Sequence, residues 1–439
     1  MLKTLVGAFK NKDIRKKILY TLMILVIVRV GSLLPIPGVD TEYFSSLLSG
    51  INTGDLSYLS AFTGGSFERM SLFALSITPY ITSSIIMQLL AIAIPKLEEM
   101  QKEGEDGRKK IAAITRYVTI ALALIESIAM AVGFGRSGLI KGYQGFSTLH
   151  YIVSIIVVVA ALTAGSAMLM WLGERITENG VGNGISIVLL INFISGMPSD
   201  FATLYSTFVA PRTIAKGVLA AAIIIAILVV MVVLVCFLQD GERRIPVQYS
   251  QKVSGRKTFG GQSTNIPLKV NTAGVMPVIF ASSLMQFPVI IAQLFGKSYE
   301  WTRYLSSSYW CRISAPKYSI GLILYIVLLI IFAYFYTSIT FNPIEVADNL
   351  KKAGGVIPGI TPGKSTSDYL NNILNYIVFV GAVGLLIIAL IPIMCTGFFN
   401  ASVSFGGTSV IIIVGVVLET LKQIESQMVN RYYKGFLSE

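Results

Sequence analysis

Val218-Leu-Ala-Ala-Ala-Ile-Ile-Ile-Ala-Ile-Leu-Val-Val-Met-Val-Val-Leu-Val-Cys-Phe-Leu238 runs 21 residues without a charge. At the rise of an α-helix, about 20 apolar residues cross the hydrocarbon core of a bilayer, roughly 30 Å thick. The run is continuous and does not alternate, which excludes the period-two strands of a membrane barrel. Ile320–Tyr336 is a second window of the same kind. Outward from these two, the chain stays apolar: 54% of its 439 residues are hydrophobic, only 13% are charged, and the mean hydropathy is +0.71. That composition excludes a soluble multidomain protein.

Ten spans are expected, near 18–34, 71–92, 111–135, 150–172, 185–202, 217–238, 273–294, 319–339, 370–391 and 408–428. The first follows a basic segment (Lys10, Lys12, Arg15, Lys16, Lys17), but Pro35-Ile-Pro37-Gly38 follows it where a signal peptide would have a small-residue cleavage site, so it reads as an uncleaved span. Alternating the loops between two sides puts 23 Lys and Arg with the N-terminus and 8 on the far side. By the positive-inside rule both termini are then cytoplasmic. Much of the net charge of +12 is on that face, where anionic lipid, an acidic protein or RNA could meet it.

Pro79 in the second span and Pro277 in the seventh stand in similar surroundings: Pro79-Tyr-Ile81-Thr-Ser83-Ser84-Ile85 aligns, with one gap, to Pro277-Val-Ile279-Phe-Ala-Ser282-Ser283-Leu284. Two five-helix repeats would explain this, and helices interrupted at equivalent positions would mark the functional axis.

Enzyme chemistry finds little footing. His150 is the only histidine, and Cys236, Cys311 and Cys395 are far apart, so neither a histidine-based triad nor a metal cluster is expected. Gly359-Ile-Thr-Pro-Gly363-Lys364-Ser365 ends like a phosphate-binding loop but has Pro358 where the first glycine belongs. Glu178-Asn179-Gly180-Val-Gly182-Asn183-Gly184 has no lysine for phosphate and reads as a tight turn. No catalytic residue, cofactor or metal is expected. Ionisable residues within spans are few (Arg29, Arg116, Glu126, Glu419), which argues against the main alternative, an ion-coupled solute transporter.

The loops are more telling. Asp55-Leu-Ser-Tyr-Leu-Ser-Ala-Phe-Thr-Gly64-Gly65-Ser-Phe-Glu68-Arg69 is amphipathic and too short to span; it is either an interfacial helix or a segment folded back into a cavity. Loops 239–271 and 340–368 carry basic clusters on Gly- and Pro-containing arms suited to something large and anionic.

Four blocks resemble one family: Gly241-Glu-Arg243-Arg244-Ile-Pro-Val; Gln262 to Pro277; Phe341-Asn342-Pro343 through Lys351-Lys352; and Trp171-Leu-Gly173 through Gly184-Ile185. Together they are similar to the SecY family, the large channel-forming subunits of the Sec protein translocase, and the similarity runs over essentially the whole chain. The resemblance implies an all-α membrane protein of ten helices in two inverted halves, 18–202 and 203–428, closing like a clamshell round a pore, with a cytoplasmic segment 1–17 and a tail 429–439. It implies a pore ring of Ile77, Ile81, Ile185, Leu189, Ile279 and Ile412, of which Ile77/Ile81 and Ile185/Leu189 have the spacing of one helix face. It implies a plug over 55–70 (Leu56, Phe62, Gly64, Gly65, Phe67, Arg69) and a lateral gate with Gln88, Asn271, Pro79 and Pro277. It also implies that Arg243, Arg244, Arg256, Lys257, Lys351 and Lys352 dock the ribosome or the motor ATPase SecA. Thr361 departs from the arginine usual in the second loop. The implied function is translocation of unfolded secretory proteins bearing signal sequences, with lateral release of transmembrane segments into lipid. The implied setting is a bacterial plasma membrane, with SecE and SecG as small partner subunits and no DNA.

Overall fold

The computed structural model describes residues 7, 9–50, 62–135, 148–211, 214–249, 252–254, 257–259, 263–294, 300–312, 316–399 and 407–435. Helix α1 (Lys12–Leu33) and the short α2 (Thr41–Gly50) are followed by α3 (Thr78–Ala93) and α4 (Pro95–Lys102), which meet at a bend of 105°. Then come α5 (Glu105–Phe134), α6 (Thr148–Asn179), α7 (Gly184–Leu204), α8 (Ile214–Asp240) and, after a strand region, α9 (Met276–Leu294) and α10 (Ile320–Thr340). Helices α11 (Pro343–Lys352), α12 (Lys364–Phe399) and α13 (Gly407–Gly435) complete the chain.

A helix falls within each of the ten expected spans, but among the described residues only six are long and apolar enough to cross a bilayer by themselves, or seven if the bent pair counts as one. The expected second span differs most. Helix α3 begins only at Thr78, because 64–77 folds as successive turns broken by a bridge from Ser71 to Pro35, with Met70 and Ser76 in the left-handed region (φ 41° and 52°). Neither Pro79 nor Pro277 interrupts a helix, contrary to expectation. Both are the second residue of theirs, where the missing N–H has no helical partner to lose. The prolines within helices are Pro198, Pro288 and Pro392.

Hydroxyl side chains let neighbouring helices approach. Ser83 of α3 donates to the Thr115 carbonyl of α5 at 2.8 Å, Thr119 donates to Ser83 at 3.0 Å, and Ser127 meets Thr163 of α6 at 2.9 Å. In hydrocarbon such small polar groups hold helices together because their alternative is to go unpaired. On the outward faces Val218, Ile225 and Phe237 of α8 are exposed, as a helix dissolved in lipid requires.

Both described chain ends lie on one side. Ile14 packs with Val181 and Ile424, Lys17 reaches Gln427 at 3.4 Å, and Lys422 pairs with Asp240 at 2.7 Å. On the same side strand β1 (Glu242–Tyr249) precedes a small hairpin, β2 (Lys252–Ser254) and β3 (Lys257–Phe259), and pairs antiparallel with β4 (Ser263–Lys269). On its other edge β1 pairs with β5 (Gly355–Val356) from the second basic loop. The two loops are therefore one platform rather than separate arms. Ile245, Val247 and Leu268 of the sheet are buried against Leu350 of α11 and Leu370 and Ile373 of α12, while alternate residues of β1 face outward.

Candidate functional site: a sealed apolar constriction

Four helices carry the expected ring residues at or near their starts. Ile77 immediately precedes α3 and already accepts the Ile81 N–H at 3.0 Å, so the two share a face as their spacing requires. Asn183 caps α7 by accepting the Ile185 N–H at 3.2 Å, which fixes Ile185 and Leu189 in the first two turns. Ile279 lies in the first turn of α9 and Ile412 in the second turn of α13. These side chains meet in a single apolar cluster: Ile77, Ile81, Leu189, Ile279 and Ile412 are at most 6% exposed, and Ile185 is half-buried against them. Val188, Val278, Ile411 and Val416 belong to the same cluster.

From the side away from the chain ends, the segment 62–70 folds into the helices instead of lying along an interface. Phe62 joins the central cluster and stacks edge-on against Phe193 of α7, with ring centres 4.9 Å apart. Phe67 packs with Phe44 and Phe134 in a second cluster, and Arg69 is exposed. Gly64 and Gly65 both have positive φ (62° and 80°). A Cβ on Gly64 would come within 3.0 Å of Arg29 Nη1 and 2.8 Å of Ser195 Oγ, so only glycine fits there. Leu56 and the rest of 55–61 lie outside the described residues.

Sequence reasoning missed the polar group that ties this segment down. Asn192 of α7, 2% exposed, donates its amide to the Phe62 carbonyl at 3.1 Å and to Ser76 Oγ at 3.0 Å, and Ser76 also donates to Phe62 at 3.3 Å. Ser195, one turn further on, donates to the Gly64 carbonyl at 3.3 Å. The signal was available in Leu190-Ile191-Asn192-Phe193: an amide inside an apolar span is costly unless something bonds it.

On the opposite side the cluster opens into a polar vestibule of about 390 Å³, lined by Asn183, Ser186, Gln239, Asn271, Glu419 and Lys422 among others. A second cavity of about 430 Å³ between α3, α5 and α10 is lined by Ser84, Met87, Gln88, Arg108, Thr115 and Thr340. The two polar residues expected at the gate line different cavities and bond elsewhere: Asn271 donates to the Gly274 carbonyl at 2.9 Å, and Gln88 to Ser84 at 3.3 Å. Arg116, expected to stand within a span, pairs with Glu174 of α6 at 2.8 Å.

On the platform Arg243, Lys351 and Lys352 are exposed, whereas Arg244 is bound to Glu242 at 2.6 Å. Lys257 begins β3, and Arg256 lies outside the described residues. Thr361 bonds Ser365 at 2.9 Å and its carbonyl accepts from Thr366, so it shapes the start of α12.

A buried apolar cluster between a polar vestibule and an inserted segment, within a bundle of lipid-facing helices, is the arrangement a membrane channel needs. A family model described as SecY matches residues 71–421. Over their full lengths the chain is 44% identical to the protein translocase subunit SecY of Streptomyces galbus and 42% identical to that of Halalkalibacterium halodurans. The chain belongs to the SecY family. Its fold matches a SecY channel studied for how its plug domain stabilises the closed state (TM-score 0.66, 18% identity, 94% of this chain and 92% of that one). It also matches canine Sec61 in a ribosome–channel complex (TM-score 0.57, 18% identity, 94% and 93%). The protein is a protein-conducting channel subunit, and the solute-transporter alternative falls.

Proposed function

We propose that this chain is the pore subunit through which unfolded secretory proteins cross a bacterial plasma membrane, and from which transmembrane segments leave sideways into lipid. The observation that carries the reading is the convergence of Ile77, Ile81, Leu189, Ile279 and Ile412 from four helix starts into one buried cluster. A narrow apolar ring cannot replace an ion's hydration shell, so it excludes ions by dewetting. The same side chains offer a sliding peptide neither charge nor hydrogen bond. Branched aliphatic groups repack around chains of different width without leaving polar atoms unpaired.

In this reading 55–70 is the plug, and the halves 18–202 and 203–428 part along Gln88 and Asn271 to open the gate. The equal offset from Pro79 to Ile81 and from Pro277 to Ile279 supports two related halves. Both termini are cytoplasmic, a reading supported by the bias of basic residues and by the chain ends lying on one side. The basic platform docks the ribosome, as relatives captured on ribosomes suggest, or SecA; SecE and SecG brace the bundle. Reconstitution with SecE, SecA, ATP and a signal-bearing preprotein tests this. Protease-protected preprotein inside the vesicles is expected. No protection, although the complex is inserted and binds SecA, overturns the reading.

A further inference from the structure

The connection from α9 to α10 lies at the end of the bundle opposite the platform, since α9 starts beside β4 and α10 ends beside α11. By sequence this end is poor in cations, yet Lys297, Arg303, Arg312 and Lys317, half of its eight, fall in this one connection. Its described part is a compact cap. Trp310, 2% exposed, donates its indole N–H to the Tyr304 carbonyl at 2.8 Å and packs on Tyr325 of α10, with ring centres 5.6 Å apart. A Cβ on Gly321 would collide with that same Tyr304 carbonyl, so the cap is seated directly on the first turn of α10.

The cap holds its cations on aromatic rings. The guanidinium groups of Arg303 and Arg312 stand 5.9 Å and 5.0 Å from the centre of one ring, Tyr309, and Lys317 Nζ stands 4.9 Å from Tyr318. Glu300 is the one described carboxylate in this connection, and it is bound to Lys317 at 2.9 Å. The two arginines share the Tyr309 ring, Arg303 is also hydrogen-bonded to Tyr318 within the field of Glu300, and Arg312 Nε is buried with no partner among the described residues. Three residues after Lys317 the lipid-facing surface begins: Ile320, Ile323, Leu324 and Val327 of α10 are 44–63% exposed.

We infer that this cap binds the phosphodiester of an anionic phospholipid, with Arg303 and Arg312 on the phosphate and the acyl chains along the exposed face of α10. A guanidinium matches phosphate oxygens in geometry and charge. Continuity with the exposed aliphatic face of α10 selects a lipid over a soluble anion, and the excess of cations over Glu300 selects an anionic headgroup. Because the site sits where α9 joins α10, a bound lipid would bridge those two helices at their far ends. Translocation activity has no bearing on whether it exists.

The test uses full-length chain carrying Trp171→Phe, so that the remaining indoles are Trp301, 45% exposed on the cap, and Trp310. It is placed in phosphatidylcholine vesicles doped with brominated phosphatidylglycerol or brominated phosphatidylcholine. Charge-assisted hydrogen bonds predict half-maximal quenching at a roughly tenfold lower mole fraction of the anionic lipid. In Arg303→Gln/Arg312→Gln the two lipids should quench alike. Equal quenching in the unaltered cap, a preference that survives the double change, or abolition of the preference by millimolar inorganic phosphate overturns the inference. If the double change disturbs the near-ultraviolet spectrum of Trp310, the exposed single changes Arg303→Gln and Lys317→Gln decide: each should lower the preference, and an undiminished preference in both overturns it.

Discussion

Asn192 donates its side-chain amide to the carbonyl of Phe62 across 3.1 Å, and this bond joins the root of the inserted segment to helix α7 beside the constriction. Asn192→Leu would leave the Phe62 carbonyl and Ser76 with only each other. Losing two intramolecular hydrogen bonds at about 0.5–1.5 kcal/mol each would raise the population of the released segment roughly tenfold. The expected outcome is a higher resting ion leak in planar bilayers at unchanged insertion. Deletion of about a dozen residues within 55–70 sets the upper limit of leak on the same scale.

The constriction itself should fail by hydration. Ile81→Asn together with Ile412→Asn places two amides in a layer where these residues are 6% and 0% exposed. The double variant should conduct ions at rest and pass preproteins with weak signal sequences. Each single change should do less, because the other apolar members still touch. Wild-type leak and wild-type stringency in the double variant would remove the constriction from the sealing role.

Arg256→Glu with Lys257→Glu should lower affinity for ribosomes or SecA and make the remaining binding less sensitive to salt, since each lost phosphate or carboxylate contact releases fewer counterions. Insertion should be unaffected. A binding isotherm at two salt concentrations is the measurement.

The two arginines of β1 should not behave alike. Arg244 is already bound to Glu242, whereas Arg243 is exposed and makes no ion pair among the described residues. Arg243→Ala should weaken docking more than Arg244→Ala, and the reverse order would place the contact elsewhere on the platform.

Asn342 caps α11 by accepting the Ile344 N–H at 3.1 Å, with Pro343 in the first turn. Asn342→Ala should destabilise that helix by about 1 kcal/mol. Because Leu350 of α11 packs under β1, faster hydrogen exchange should appear in β1 and β5 as well as in α11.

The spans were legible in the sequence because a bilayer makes a local demand. A backbone without water must satisfy itself within its own helix, so Val218–Leu238 needs no knowledge of its neighbours to be read. Family blocks such as Phe341-Asn342-Pro343 were equally local, and the spacing of Ile77 from Ile81 placed both on one face before any helix was seen. What the sequence left open depends on residues far apart in the chain. Nothing near Asn192 reveals that its partner is a carbonyl on the loop before α3. The two basic loops read as separate arms because the pairing of β1 with both β4 and β5 is set by strands with no local signature of their mates. Pro79 read as an interruption because only the inward fold of 63–77 makes Thr78 the start of a helix. Helix formation in a membrane is settled residue by residue, whereas the apolar cluster, the tie between Asn192 and Phe62 and the platform arise from contacts whose strength depends on which groups the fold brings together.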